Sequence, residues 1–210
     1  MICLFGGTFD PIHRGHVHGG QMVCDVLALR EIRFILSGRP SHRTKPATTV
    51  EQRWEMLKLA CADDRRLVPD DREVRRGEPS FTVDTLRAVR AAHPREPVAW
   101  VLGNDAYAEF SSWRSWREIL DLANLVVLER PGEAWPLGAE MQRITECRRV
   151  EQKLEVCAGQ VLFLASEMQA VSATDVRTRI SSGDTVDDLL PPRVSTYIYE
   201  HGLYGGIRES

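Results

Sequence analysis

The chain lacks several features that would each narrow its class at once. No apolar run approaches the roughly 20 residues that span a bilayer. Met1-Ile2-Cys3-Leu4-Phe5 has neither the basic start nor the long apolar stretch of an export signal, so the cytoplasm is the expected compartment and no membrane is expected as a partner. Cysteine is sparse and badly spaced for its structural uses: Cys3, Cys24, Cys61, Cys147 and Cys157 form an odd set of five without a C-x-x-C pair. That spacing argues against a disulfide framework or zinc site and favours buried free thiols. Neither sign of charge dominates, with 27 basic against 30 acidic residues and a formal net charge of -3. Global attraction to nucleic acid is therefore excluded, and any polyanion site must be local. Repeats and low-complexity tracts are absent, and nothing in the sequence reports an oligomeric state.

What is present suits one compact domain over residues 1–210, because 210 residues with 43% hydrophobic content can bury one sizeable core. Short apolar runs at Ile2–Phe5, Arg33–Leu36, Val98–Leu102, Leu125–Leu128 and Val161–Leu164 read as strands buried on both faces. Helical patterns lie between them. Met22, Val23, Val26 and Leu27 share one helical face, as do Trp54, Leu57 and Cys61, with Thr48-x-x-Glu51 offering a capping box before the second group. Such alternation predicts an α/β fold, a parallel sheet between helical layers, with ligands beyond the carboxyl ends of the strands. Arg130–Cys157, rich in charge and broken by Pro131, Gly132, Pro136 and Gly138, reads as an irregular surface excursion. A helical C-terminal part is expected from about residue 172, closing with a helix over Pro192–His201.

Directly after the first predicted strand, Gly6-Gly7-Thr8 lets backbone N–H groups approach a ligand, and Gly15-His16 opens a helix of roughly four turns. A helix N-terminus attracts phosphate through its partial charge and unpaired N–H groups. The side chains of His13 and His16 converge on the same place. Taken singly, a G-G-T turn or a histidine is more often structural than functional; the string Gly6–His16 taken whole reverses that balance. His13, His16 and His18 with Asp10 also have the composition of a metal cluster. At about 100° per residue, however, His16 and His18 point roughly 200° apart, so they do not readily share an ion and no metal ligand is expected.

The string Gly6-Gly7-Thr8-Phe9-Asp10-Pro11-Ile12-His13-Arg14-Gly15-His16 resembles the motif of the T/H-x-G-H nucleotidyltransferase superfamily, with His13-Arg14-Gly15-His16 as the H-x-G-H element. The resemblance implies a Rossmann-like three-layer domain. It also implies catalytic roles for His13 and His16, and ATP-phosphate contacts at Gly6, Gly7, Thr8 and Phe9.

Downstream strings choose among branches. Pro40-Ser41-His42-Arg43 puts a basic pair on a loop, which on general grounds is more often merely solvated. It is similar to the P-P-H-K/R element of bacterial nicotinate mononucleotide adenylyltransferases, with Ser41 in place of the second proline, and implies that His42 and Arg43 meet the triphosphate. In Pro79-Ser80-Phe81-Thr82, Ser80 or Thr82 could simply cap the helix Val83–His93, whereas the family's P-S-[YF]-T string places Thr82 on the pyridine carboxylate. Gly103-Asn104-Asp105 sets an acid beyond a parallel strand, suited to ribose hydroxyls. Of Trp113 and Trp116, the second reads as a core anchor. The family's F-x-x-W-x-x-W/Y element stacks the first on the nicotinate ring and uses the backbone of the next residue, Arg114. In Val171-Ser172-Ala173-Thr174-Asp175-Val176-Arg177, Ser172 is a natural N-cap and Asp175 a first-turn acid. Its likeness to I-S-[SA]-T-x-[IV]-R makes Ser172 and Arg177 phosphate ligands as well.

The resemblance to bacterial nicotinate mononucleotide adenylyltransferases runs from Phe5 almost to His201-Gly202-Leu203-Tyr204. It implies an enzyme of NAD synthesis that takes ATP, with Mg²⁺ carried on its phosphates, and nicotinate mononucleotide. Two alternatives stay open: nicotinamide mononucleotide as the acceptor, or a nucleotide-binding regulator that kept the fold and lost the chemistry.

Overall fold

The computed structural model describes residues 1–40, 45–129, 136–165 and 171–206. In chain order the elements are β1 (Ile2–Gly7), α1 (Arg14–Val26), β2 (Ile32–Leu36), α2 (Val50–Cys61), β3 (Leu67–Asp70), α3 (Arg72–Arg76), α4 (Thr82–Ala92), β4 (Val98–Gly103), α5 (Asn104–Ala108), α6 (Trp116–Leu122), β5 (Asn124–Glu129), α7 (Ala139–Arg148), β6 (Arg149–Val150), β7 (Val161–Ala165), α8 (Ala173–Ser181) and α9 (Pro192–Glu200). Short 3₁₀ turns lie at Phe110–Ser112 and Leu203–Gly205. No described helix is long and apolar enough to cross a membrane.

The sheet has seven strands in the order β3-β2-β1-β4-β5-β7-β6, all neighbours parallel. Alternation along each central strand explains why it is apolar throughout. In β1, Cys3 and Phe5 face one core while Leu4 faces the other, and β5 divides Val126 and Leu128 from Leu125 and Val127. One core is closed by α1, α2, α8 and α9 through residues such as Val23, Met56, Ile180 and Ile198, and the other by α4, α6 and α7 through Leu86, Ile119 and Met141. Three layers result, the α/β Rossmann-like arrangement expected.

All five predicted strands are present. The sequence reading missed the edge strands β3 and β6. β3 is short and carries Pro69, which cannot donate to a ladder and is tolerated only at an edge. The segment after residue 135 was expected to be irregular yet contains α7 and β6: Met141 pins that helix to the core, and Thr145 hydrogen-bonds Tyr107 at 2.8 Å. Two local expectations also shift. The box before α2 is Thr49 with Gln52, not Thr48 with Glu51, because Thr48 turns its hydroxyl to Asp10 at 2.6 Å. Of the cysteines, Cys3, Cys24 and Cys61 are buried free thiols, but Cys147 and Cys157 are exposed.

Candidate active site

The chain leaves β1 toward β2 and β3 on one side, and β4 opens the other half of the sheet; at the carboxyl ends of this pair lies a cavity of about 820 Å³. Gly6, Gly7, Leu102 and Gly103 form its floor, the crevice that open parallel sheets provide at the point where strand order reverses.

The first loop is built by close packing. A Cβ at Gly7 would stand 2.5 Å from the Phe9 ring, and one at Gly6 2.1 Å from Trp100, so only glycine admits those rings. Phe9, at φ 49° and buried, then meets His16 edge-on with 5.0 Å between ring centroids, with Phe5 on another side at 5.9 Å. His13, the N-cap of α1 and 2% exposed, stacks on His16 at 3.7 Å. The backbone N–H of His13 donates to His16 Nδ1 at 3.3 Å. A neutral imidazole that accepts at Nδ1 carries its proton on Nε2, so His16 is held as an Nε2–H donor at a helix N-terminus. Phe9 therefore supports the imidazole, whereas sequence reasoning gave it only to the phosphates.

Arg53 braces the same loop from below. It is 2% exposed and donates to the carbonyls of Thr8 (2.9 Å), Ser37 (2.7 Å) and Gly38 (3.1 Å), joining the ends of β1 and β2. A buried arginine bound to carbonyls is not visible in a sequence as anything but a charged helix residue.

Thr82, Asp105, Trp113 and Arg114 all line the cavity. Neither Ser80 nor Thr82 caps α4, contrary to the capping alternative: Phe81 is the N-cap, and the helix start has no side-chain cap hydrogen bond. Ser80 Oγ instead accepts from the amides of Gly38 (3.0 Å) and Arg39 (3.3 Å), tying this loop to the end of β2. Trp116 is in the core at 7% exposure, as its reading as a core anchor expects, whereas Trp113 is half-buried and lines the cavity. The Arg114 guanidinium lies 4.5 Å over the Phe81 ring and 3.7 Å from Asp84. Glu73, a residue without a sequence motif, also lines the cavity; burial pushes its carboxyl up, while Thr85 donates to it at 2.6 Å.

Thr8, His16, Ser172, Arg177 and Lys45, the last missed in the sequence, line the same cavity. Ser172 caps α8, accepting from the Asp175 amide at 3.0 Å and donating to the Asp175 carboxylate at 2.6 Å. Arg177 donates to the Asp10 carbonyl at 2.7 Å and to Thr174 at 3.2 Å, which fixes its guanidinium at the rim. His42 and Arg43 lie outside the described residues.

A reversing parallel sheet, a glycine-rich first loop and stacked histidines at the next helix N-terminus define a nucleotidyltransferase domain. The cytidylyltransferase-like family matches residues 4–179. A probable nicotinate-nucleotide adenylyltransferase of Hydrogenovibrio crunogenus is 41% identical over 97% of this chain and 97% of its own length. One from Pseudomonas syringae pv. tomato is 39% identical over 97% and 93%. Among solved structures, the Plasmodium falciparum nicotinic acid mononucleotide adenylyltransferase complexed with NaAD superposes with a TM-score of 0.77, at 18% identity over 99% of this chain and 98% of that one, a likeness of fold. The chain belongs to the nicotinate-nucleotide adenylyltransferases, within the cytidylyltransferase-like family.

Proposed function

We propose that the protein transfers the adenylyl group of ATP to nicotinate mononucleotide, forming nicotinate adenine dinucleotide and pyrophosphate in NAD synthesis. The carrying observation is one continuous cavity lined both by cations and donors at His16, Lys45 and Arg177 and by the aromatic ring of Trp113. At about 820 Å³ it falls within the size range of small-molecule sites. The relatives' names supply the substrate class.

In this reading an oxygen of the mononucleotide phosphate attacks the α-phosphorus in line. The new P–O bond forms as the bond to the bridging oxygen of pyrophosphate breaks. The acceptor is already an anion, so no serine or cysteine nucleophile and no covalent enzyme intermediate is needed. His16 Nε2–H, with His13 stacked behind it, donates to the charge that builds on the α-phosphate, and Arg177 with Lys45 holds the leaving pyrophosphate. Mg²⁺ enters as part of the substrate MgATP: Asp10, the carboxylate nearest the histidines in sequence, already accepts from Ala47, Thr48 and Tyr204, and the donor end offers cations to phosphate rather than ligands to a metal. Thr82 and the Arg114 backbone receive the pyridine carboxylate, Trp113 its ring and Asp105 the ribose. The cytoplasm, where ATP and mononucleotide meet, is the proposed compartment.

The test is pyrophosphate release from MgATP with nicotinate mononucleotide, nicotinamide mononucleotide and phosphopantetheine in parallel. Fastest release with the first is expected. Equal or faster release with the neutral amide would move the acceptor assignment, and no release with any would return the regulator reading.

A further inference from the structure

Asp10 is 6% exposed, and its carboxylate gathers distant parts of the chain. Oδ2 accepts from the Ala47 amide at 2.7 Å. Oδ1 accepts from the Thr48 hydroxyl at 2.6 Å and from the Tyr204 hydroxyl at 2.8 Å, and those two hydroxyls lie 3.4 Å apart. Its carbonyl meanwhile holds Arg177. Asp10, Arg177 and the stretch Lys45-Pro46-Ala47 all line the cavity, and the Asp10 carboxylate joins that stretch directly through Ala47. Tyr204 reaches Asp10 from a turn made for the purpose. Gly202 and Gly205 lie at φ 58° and 81°, and Tyr204 itself at φ 58°, a left-handed conformation that a tyrosine adopts at a cost unless its surroundings hold it there. Burial pushes the phenol's pKa far up, so it stays a donor across the physiological range.

We propose that Tyr204 is a positioning residue for the ATP end of the cavity, its hydroxyl locking Asp10 so that the Lys45–Thr48 segment and Arg177 are held at one spacing. A polyphosphate is bound by several cations at once, and affinity is lost when their spacing is free to vary. Removing one donor from a shared acceptor therefore weakens ATP without touching the mononucleotide pocket. The inference rests on the adenylyl-transfer reading for which substrate lies at that end.

The experiment compares Tyr204→Phe, Thr48→Val and the double variant with the parent, by steady-state pyrophosphate release and by calorimetric titration with MgATP alone. The expected result for Tyr204→Phe is an ATP KM and Kd raised about tenfold, as for a lost hydrogen bond to a charged group, with the mononucleotide KM within about twofold. Both hydroxyls serve one oxygen, so the double variant should lose far less than the product of the single losses. Unchanged ATP affinity with a lowered Tm would make Tyr204 a structural anchor only and overturn the proposal, as would equal rises in both KM values. Thr48→Val carries the same test should Tyr204→Phe fail to fold. The titration reads Tyr204 even in a protein that releases no pyrophosphate, so failure of the activity assignment is separate from failure of this one.

Discussion

The imidazoles of His13 and His16 lie face to face with 3.7 Å between centroids, and the backbone of the first donates to Nδ1 of the second. The pair thus orients one donor, His16 Nε2–H, at the N-terminus of α1. Removing it should cost what removal of one preorganised transition-state donor costs elsewhere, roughly 10² to 10³ in kcat. His16→Ala is expected to keep its circular dichroism spectrum and to lose about 1–3 kcal/mol of stability, from the hydrogen bond and the ring contacts with His13, Phe9 and Phe5 that it surrenders. Near-normal turnover would remove His16 from the chemistry.

Trp113 and Trp116 stand three apart and should behave oppositely. Trp113 is half-buried at the cavity, so Trp113→Ala is expected to raise the mononucleotide KM about tenfold or more and leave that for ATP little changed, as Trp113→Phe restores most of the stacking. Trp116 packs against Phe110 at 6.0 Å within the core, and Trp116→Ala should cost about 3–5 kcal/mol of stability. Thermal unfolding beside kinetics separates them; a Trp113 variant that is destabilised but kinetically normal would refute the stacking role.

These two tryptophans show how far a sequence carries the argument. Buried strands, the alternation that makes a three-layer fold and the motifs with fixed spacing were all legible, because each depends on residues close together in the chain. Arg53, Glu73 and Lys45 were not, since each gains its place from tertiary contacts: Arg53 from carbonyls at the ends of two separate strands, Glu73 from burial beneath α4, Lys45 from a segment pinned by Asp10. The Ser172 cap was legible, but the caps read at Thr48 and at Ser80 or Thr82 failed for the same reason. Thr48 and Ser80 look like local capping residues, and both are diverted to partners dozens of positions away. β3 and β6 escaped because four and two residues are too few for a period to register.

Ser172 and Arg177 belong to one motif yet should separate experimentally. Ser172 Oγ is committed to the Asp175 amide, so Ser172→Ala should lower stability by about 1 kcal/mol, the usual value of an N-cap. Any further effect on the ATP KM measures a phosphate contact. Arg177 binds the Asp10 carbonyl and Thr174 through two nitrogens, a geometry a lysine cannot copy. Arg177→Lys is therefore expected to raise the ATP KM nearly as much as Arg177→Met; full activity in the lysine variant would reduce its role to charge alone.

Acid stability depends in part on a site far from the cavity. The Arg66 guanidinium donates to Asp64 at 3.1 and 2.9 Å, and with the Arg66 amide at 3.0 Å and Gln21 at 3.2 Å it lowers the Asp64 carboxyl from 3.8 to about 2. The folded state therefore favours the ionised form more than the unfolded chain does. Stability from this group is fully present above pH 3.8 and is lost as pH falls from there through about 2. Arg66 is partly exposed, which limits the contribution to about 1 kcal/mol, or about 2–4 °C in Tm for a chain of this size. Asp64→Asn should show that deficit at pH 7 and converge with the parent as the pH falls below about 2. A deficit that persists unchanged at the acid end would mean that the carboxylate's charge is not what holds Arg66 against the end of α2.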